Sequence, residues 1–200
     1  MKKLLLTGFT PFGGENINPS WEAVKRIDSL NGFSIEKVEI PVVWDSAFSE
    51  LEKAWNKFEP DCILMVGQAG TSDSVRIERI AINLCSPTKD NLGKYHGDIC
   101  KETKIDENGP DAIFSSFDYE KIYGALKENG IKARYSFSAG TYLCNFLLYS
   151  VLLKINQGKT SIRAGFIHVP YADEQNKTDS PSMSLDEITR AVEIAANNIV

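Results

Sequence analysis

The period of the hydrophobic positions changes repeatedly along this chain, and each change marks an element. Leu4 to Phe9 is a short apolar block, which predicts a strand. A glycine- and proline-rich loop, 8–14, ends it. Asn18-Pro19 then reads as a helix start, with Asn as cap and Pro at the first helical position, and the helix runs towards Asn31-Gly32. Ser34 to Val43 alternates as a strand. Phe48, Leu51, Trp55 and Phe58 recur at helical spacing, predicting a helix over 45–58 that stops before Pro60. Cys62 to Val66 is apolar at every position, as an inner parallel strand should be. Val75 to Asn83 alternates and predicts one strand with a polar face.

The second half is patterned in the same way. Residues 86–110 are polar and rich in Gly, Asp and Asn; a loop that long in a small domain usually carries function or an interface. Tyr119 to Asn129 reads as a helix ended by Gly130. Ile131 to Phe137 reads as a strand. From Cys144 the chain is apolar on nearly every helical face, with no Gly or Pro before Gly158, so this helix should be buried. Thr141 is a candidate cap for its first turn. Gly165 to Val169 is a strand, and Ser184-Leu-Asp-Glu187 opens a last helix with a capping-box pattern. Strand and helix alternate throughout. The pattern predicts a three-layer α/β/α sandwich around a mostly parallel twisted sheet, as one domain over 1–200. In such a fold, sites form at the carboxyl ends of the strands. The loops after Phe9, Val66, Phe137 and Val169 should all emerge at that edge.

Composition narrows the function. The chain has 200 residues, 42% hydrophobic and 24% charged, which suits one globular domain. Its net charge of −5 gives no reason to expect nucleic acid or an anionic membrane as partner. The four cysteines form no CxxC pair and no metal-finger spacing, so neither zinc nor a disulfide scaffold is expected. The apolar run at the N-terminus stops at Leu6, too short for a secretory signal, and no stretch reaches membrane-span length. These features point to a cytoplasmic protein with reduced thiols.

The candidate chemistry centres on Ser138-Ala-Gly-Thr-Tyr-Leu-Cys-Asn145. A cysteine in the first turn of a buried helix meets unpaired N–H groups and the positive end of the helix dipole, which favour a thiolate. The competing reading is a small buried core cysteine. A cysteine nucleophile needs a base, and the chain has two histidines. His168 ends an apolar strand at the expected edge. His96 lies in the long polar loop and fits a surface or subunit contact. Glu78 is the best acid to orient an imidazole, because a carboxylate flanked by apolar residues needs a partner. Its alternative is a structural ion pair with Arg79 or Arg76. The loop Gly8-Phe-Thr-Pro-Phe-Gly-Gly14 lacks both phosphate-loop patterns; its two phenylalanines suit the wall of an apolar pocket or simple packing on the sheet.

Six separated blocks then carry a resemblance over the whole chain. They are the stretch 5–14 (Leu-Leu-Thr-Gly-Phe-x-Pro-Phe-Gly-Gly), Asn18 to Ala23, Gly67-Gln-Ala-Gly70, Glu78 to Asn83, Ser138 to Asn145, and Gly165 to Tyr171. Together they resemble pyroglutamyl peptidase I, a family of cysteine peptidases. The resemblance implies a triad of Glu78, Cys144 and His168. It implies that Phe9 and Phe12 line the pocket for the substrate ring, with Tyr142 and Leu143 near it and Asn18 and Gln68 as polar positions. It implies peptides with an N-terminal pyroglutamate as substrate, no cofactor or metal, and a homotetramer. Some members carry an arginine just after the Ala-x-Asn block; here Asn83 is followed by Leu-Cys-Ser-Pro-Thr-Lys-Asp, and Lys89 lacks an arginine's two-pronged donor. Two other readings remain at this stage. A nucleoside phosphorylase shares this kind of sheet, but the chain offers no cluster of phosphate-binding arginines. A ligand-binding protein without turnover would have no need of Cys144, His168 and Glu78 together.

Overall fold

A computed structural model describes residues 1–200. Ten strands and five α-helices follow one another. They are β1 (Lys2–Phe9), α1 (Pro19–Arg26), β2 (Phe33–Ile40), α2 (Trp44–Phe58), β3 (Cys62–Gln68), β4 (Val75–Glu78), β5 (Ile80–Ile82), β6 (Ala112–Phe114), α3 (Tyr119–Glu128), β7 (Ala133–Ser136), α4 (Leu143–Gly158), β8 (Arg163–Val169), β9 (Tyr171–Ala172), β10 (Ser182–Met183) and α5 (Leu185–Asn197). A central sheet has the order β2-β1-β3-β8-β4-β7. Helices α1, α3 and α5 pack on one face, through Val24, Leu126 and Val192 among others. Helices α2 and α4 cover the other, through Leu51, Trp55, Leu147 and Val151. This is the three-layer sandwich that the pattern predicts. No helix is long and apolar enough to cross a membrane.

Several local signals act as expected. Asn18 caps α1, its Oδ1 accepting from the Ser20 N–H at 3.1 Å. Ser184 Oγ accepts from the Glu187 N–H at 3.2 Å and starts α5. The buried strands β3 and β8 are the continuous apolar runs and lie side by side in the middle of the sheet.

Other expectations need correction. Helix α1 ends at Arg26, well before Asn31. The stretch 75–83 is not one strand. It breaks at Arg79, so that β4 joins the main sheet while β5 pairs antiparallel with β6 in a small second sheet. Nor do all four loops leave from one edge. β4 runs antiparallel to β8, and β7 runs parallel to β4, so the loop after β7 starts from the opposite direction. The reason lies in the connection: residues 69–74 are too short a link for a parallel crossover, which needs roughly a dozen residues or more. β4 therefore re-enters the sheet from the same edge that β3 leaves. The segment 137–142 must then come back across the face before α4 begins.

The long loop is built on a few buried polar side chains. Asp90 accepts from the Trp44 N–H at 3.1 Å, capping α2 from outside its own sequence, and from the N–H groups of Leu92 and Lys94 at 2.9 Å. Asn83 grips Ile105 and Asp106 through their N–H groups, at 2.8 and 2.9 Å. Asn91 donates to the Pro11 carbonyl at 2.9 Å. Residues 88–91 are thereby fixed against the 8–14 loop.

Gly8 marks where β1 and α1 touch. A Cβ there would sit 2.6 Å from the Trp21 backbone N and Cα. Backbone cannot yield as a side chain can, so Gly8→Ala is expected to cost about 1–3 kcal/mol. A urea titration of wild type and variant checks this, and an unchanged midpoint would contradict the close packing.

Candidate active site

Glu78 and His168 meet first. In the antiparallel pairing of β4 and β8, Arg76 stands opposite His168 and Glu78 opposite Phe166. Alternate residues of a strand share a face, so these four side chains point the same way. His168 Nδ1 lies 2.8 Å from Glu78 Oε1, with both residues buried. Glu78 is fully buried and its Oε2 has no hydrogen-bond partner. The Arg76 Nε lies 3.3 Å from the same Oε1 as the imidazole does. The sequence set two uses of Glu78 against each other, orienting acid or ion pair; the side chain has both partners at once. Arg79 instead lays its guanidinium over the Tyr119 ring, 3.2 Å from the centroid.

Cys144 comes in from α4. It is the second residue of that helix, and Tyr142 is the cap, with no side chain closing the first turn. Thr141 is therefore not the cap, because the helix starts one position later than its sequence suggests. The N–H groups of Leu143 and Cys144 lie in this uncapped first turn, where no intrahelical acceptor exists. Asn145, buried in the same turn, holds the helix start: its amide donates to the carbonyls of Ile82 and Leu84, and its oxygen accepts from the Ile82 N–H. Gly67 shows where the sulfur sits. A Cβ on Gly67 would be 3.1 Å from Cys144 Sγ and 2.7 Å from the tip of the Phe166 ring. Gly67 is the register partner of His168. The sulfur thus stands over the rung of the sheet that carries the imidazole.

The groups around the sulfur pull in opposite directions. Burial, and after it the Glu78 carboxylate, push the Cys144 thiol up to about 12, against the pull of Arg76 and of its own backbone N–H. The imidazole on the neighbouring rung position is that of His168.

A slot opens next to the sulfur. Its lining is Phe9, Phe12, Asn18, Val42, Gln68, Tyr142, Leu143 and Cys144. All six residues expected around a substrate ring are there. Val42 was missed, although it follows a strand paired in register with β1. The cavity is about 20 Å³, the room of about one water molecule. Two polar groups reach it with settled orientations. Asn18 donates to the Thr10 carbonyl at 3.0 Å, and its oxygen is used by the cap of α1. Gln68 Oε1 accepts from Gln175 Nε2 at 3.0 Å, and Gln175 is fixed in turn by Glu15 and by the Ala172 N–H. That bond occupies the Gln68 oxygen as acceptor and leaves its N–H₂ as the donor end of the side chain. The Tyr142 hydroxyl donates to the Lys89 carbonyl at 2.9 Å, so the long loop forms part of the rim. The Lys89 ammonium itself lies over the Tyr95 ring. His96, half-buried, packs against the Trp44 and Phe146 rings within this chain.

Comparison with known proteins shows the family. The family profile described as pyroglutamyl peptidase matches residues 2–200. The chain belongs to the pyroglutamyl peptidase family. The pyrrolidone-carboxylate peptidase of Bacillus subtilis is 44% identical over 203 residues, covering 98% of this chain and 91% of that protein. The crystal structure of pyroglutamyl peptidase I from Bacillus amyloliquefaciens superposes with a TM-score of 0.93 at 42% identity, over 100% of this chain and 97% of that one. The pyrrolidone carboxyl peptidase of Thermococcus litoralis gives 0.92 at 33% identity, over 100% and 93%.

The place of Gly67 yields a test within this family member. Gly67→Ala would push both the Phe166 ring and the sulfur off their positions. Turnover of a fluorogenic pyroglutamyl amide is expected to fall at least about 10-fold, since small misplacements of reacting atoms are costly. Unchanged turnover would mean that the sulfur does not work from this spot.

Proposed function

We propose that this chain is a cysteine peptidase that removes an N-terminal pyroglutamyl residue from peptides, with Cys144 as nucleophile, His168 as general base and acid, and Glu78 as the group that orients the imidazole. One observation carries the reading: a buried carboxylate–imidazole pair on the rung of sheet over which a helix-start cysteine stands, beside an apolar slot. Family membership supports the same substrate class.

The chemistry follows from the positions. His168 takes the thiol proton, and the sulfur attacks the pyroglutamyl carbonyl carbon. The N–H groups of Leu143 and Cys144 face the oxygen that becomes negative. His168 returns its proton to the leaving amine as the C–N bond breaks, leaving a thioester. It then takes a proton from water, whose oxygen attacks the thioester and frees pyroglutamate and the thiol. Glu78 fixes the Nδ1–H and balances the imidazolium; it stays ionised throughout.

The slot fits the substrate's chemistry. A pyroglutamyl ring is an uncharged lactam, and no carboxylate lines the slot to grip an ammonium. Phe9, Phe12, Val42 and Leu143 supply walls, and the Gln68 N–H₂ faces the ring carbonyl. The slot must widen to admit the ring. Phe12 stands just before Gly13 and Gly14, both at positive φ, a conformation that glycine adopts without strain. A prolyl N-terminus lacks the carbonyl and carries a charge, so it should be rejected.

Release of a fluorophore from a pyroglutamyl amide tests the reading. Cys144→Ala and His168→Ala are each expected to lower kcat by roughly 10³-fold or more. The matching prolyl amide should not be cleaved. Equal rates for wild type and Cys144→Ala would overturn the assignment.

A further inference from the structure

Arg76 is unassigned by the mechanism above, yet it contacts Glu78 and the end of β7 that leads to the nucleophile. It stands directly opposite His168 and two residues before Glu78 on the same face. Its Nε is 3.3 Å from Glu78 Oε1. Its Nη2 donates to Ser136 Oγ and to the Ser138 carbonyl, each at 2.7 Å. Ser136 is the register partner of Glu78 on β7, and Ser138 opens the segment that crosses back to Cys144. A single planar cation therefore joins the strand of the acid, the rung of the base and the approach to the nucleophile. Its Nε also donates to Ser136 Oγ, at 3.3 Å, and this two-pronged grip suits a guanidinium and not an ammonium.

The geometry points to Arg76 as a positioning residue of the peptidase site: it holds the Glu78 carboxylate against His168 and keeps the 137–142 segment, and with it Cys144, in place. The inference rests on the triad reading given above. A purely structural role, that of neutralising a buried carboxylate, would be met by the Glu78 contact alone. The bonds to Ser136 and Ser138 go beyond it: they hold the end of β7 and the start of the 137–142 segment that leads to Cys144. The charged and titratable groups that face the sulfur are Glu78 and Arg76 from β4, His168 from β8 and Tyr142 from the turn before α4. Of these, Glu78 disfavours the thiolate and Arg76 favours it.

The test compares Arg76→Met and Arg76→Lys with wild type in a Cys100→Ser background, because Cys100 is the exposed thiol. Two quantities are measured: kcat and KM on a pyroglutamyl amide, and the rate of Cys144 alkylation by iodoacetamide against pH. Arg76→Met should lower kcat about 10-fold or more while leaving KM within about 2-fold, because Arg76 does not line the slot. Its alkylation profile should move to higher pH, since the cation that favours the thiolate is gone. Arg76→Lys keeps the charge and should hold the alkylation profile close to wild type, yet its kcat should stay low because the two serine contacts are lost. A thermal melt accompanies each variant; if Arg76→Met is unfolded, the kcat of the folded Arg76→Lys decides. Wild-type kcat and an unshifted profile in the folded variants would overturn the role of Arg76. Wild-type turnover by Cys144→Ala, measured alongside, would instead overturn the triad reading itself.

Discussion

The hydrogen bond from His168 Nδ1 to the buried Glu78 carboxylate is the constraint that the rest of the site obeys. A carboxylate without solvent is tolerated only beside partners that compensate its charge. Here the partners are an imidazole and a guanidinium on one oxygen, while the second oxygen has none. That requirement fixes β4 against β8 in a register where these side chains share a face. The reversed direction of β4 serves the same end. A parallel β4 would enter the sheet from its other end, and its first residues would not lie beside His168.

The nucleophile is placed by different means. α4 is apolar almost all round and is held in the layer formed with α2, where Leu147, Leu148 and Val151 are fully buried. Asn145 ties its first turn to β5 and the residues that follow. The cysteine at its start therefore has little freedom, and Gly67 supplies the gap into which the sulfur fits. Burial makes that sulfur a poor acid when left alone. In the proposed mechanism the thiol proton passes to the imidazole on the neighbouring rung, which couples the two halves of the site. The slot proposed for the substrate ring is separate again: it is small, mostly apolar, and includes one amide whose orientation Gln175 sets.

Much of this was legible in the residues. The continuous apolar runs gave β3, β8 and α4, because burial on both sides leaves no polar face. Cys144, His168 and Glu78 stood out as reactive types in apolar surroundings. What pattern could not give was direction and long-range pairing. The alternation over 75–83 hides a break at Arg79, since β4 and β5 both alternate yet belong to different sheets. The cap of α2 is Asp90, far along the chain, so no local signal marks it. Arg76 looked like one of two interchangeable ion-pair partners; only the pairing with β8 separates it from Arg79, which stacks on Tyr119.

The central claim is that His168 gives its Nδ1 proton to Glu78 in a buried, charge-assisted bond. Proton NMR of protein labelled with ¹⁵N at histidine observes that proton directly. A strongly downfield Nδ1–H signal, protected from exchange, assigned to His168 and lost in Glu78→Ala, is the predicted result. A His168 ring with no such signal, or one that persists unchanged without Glu78, would contradict the account.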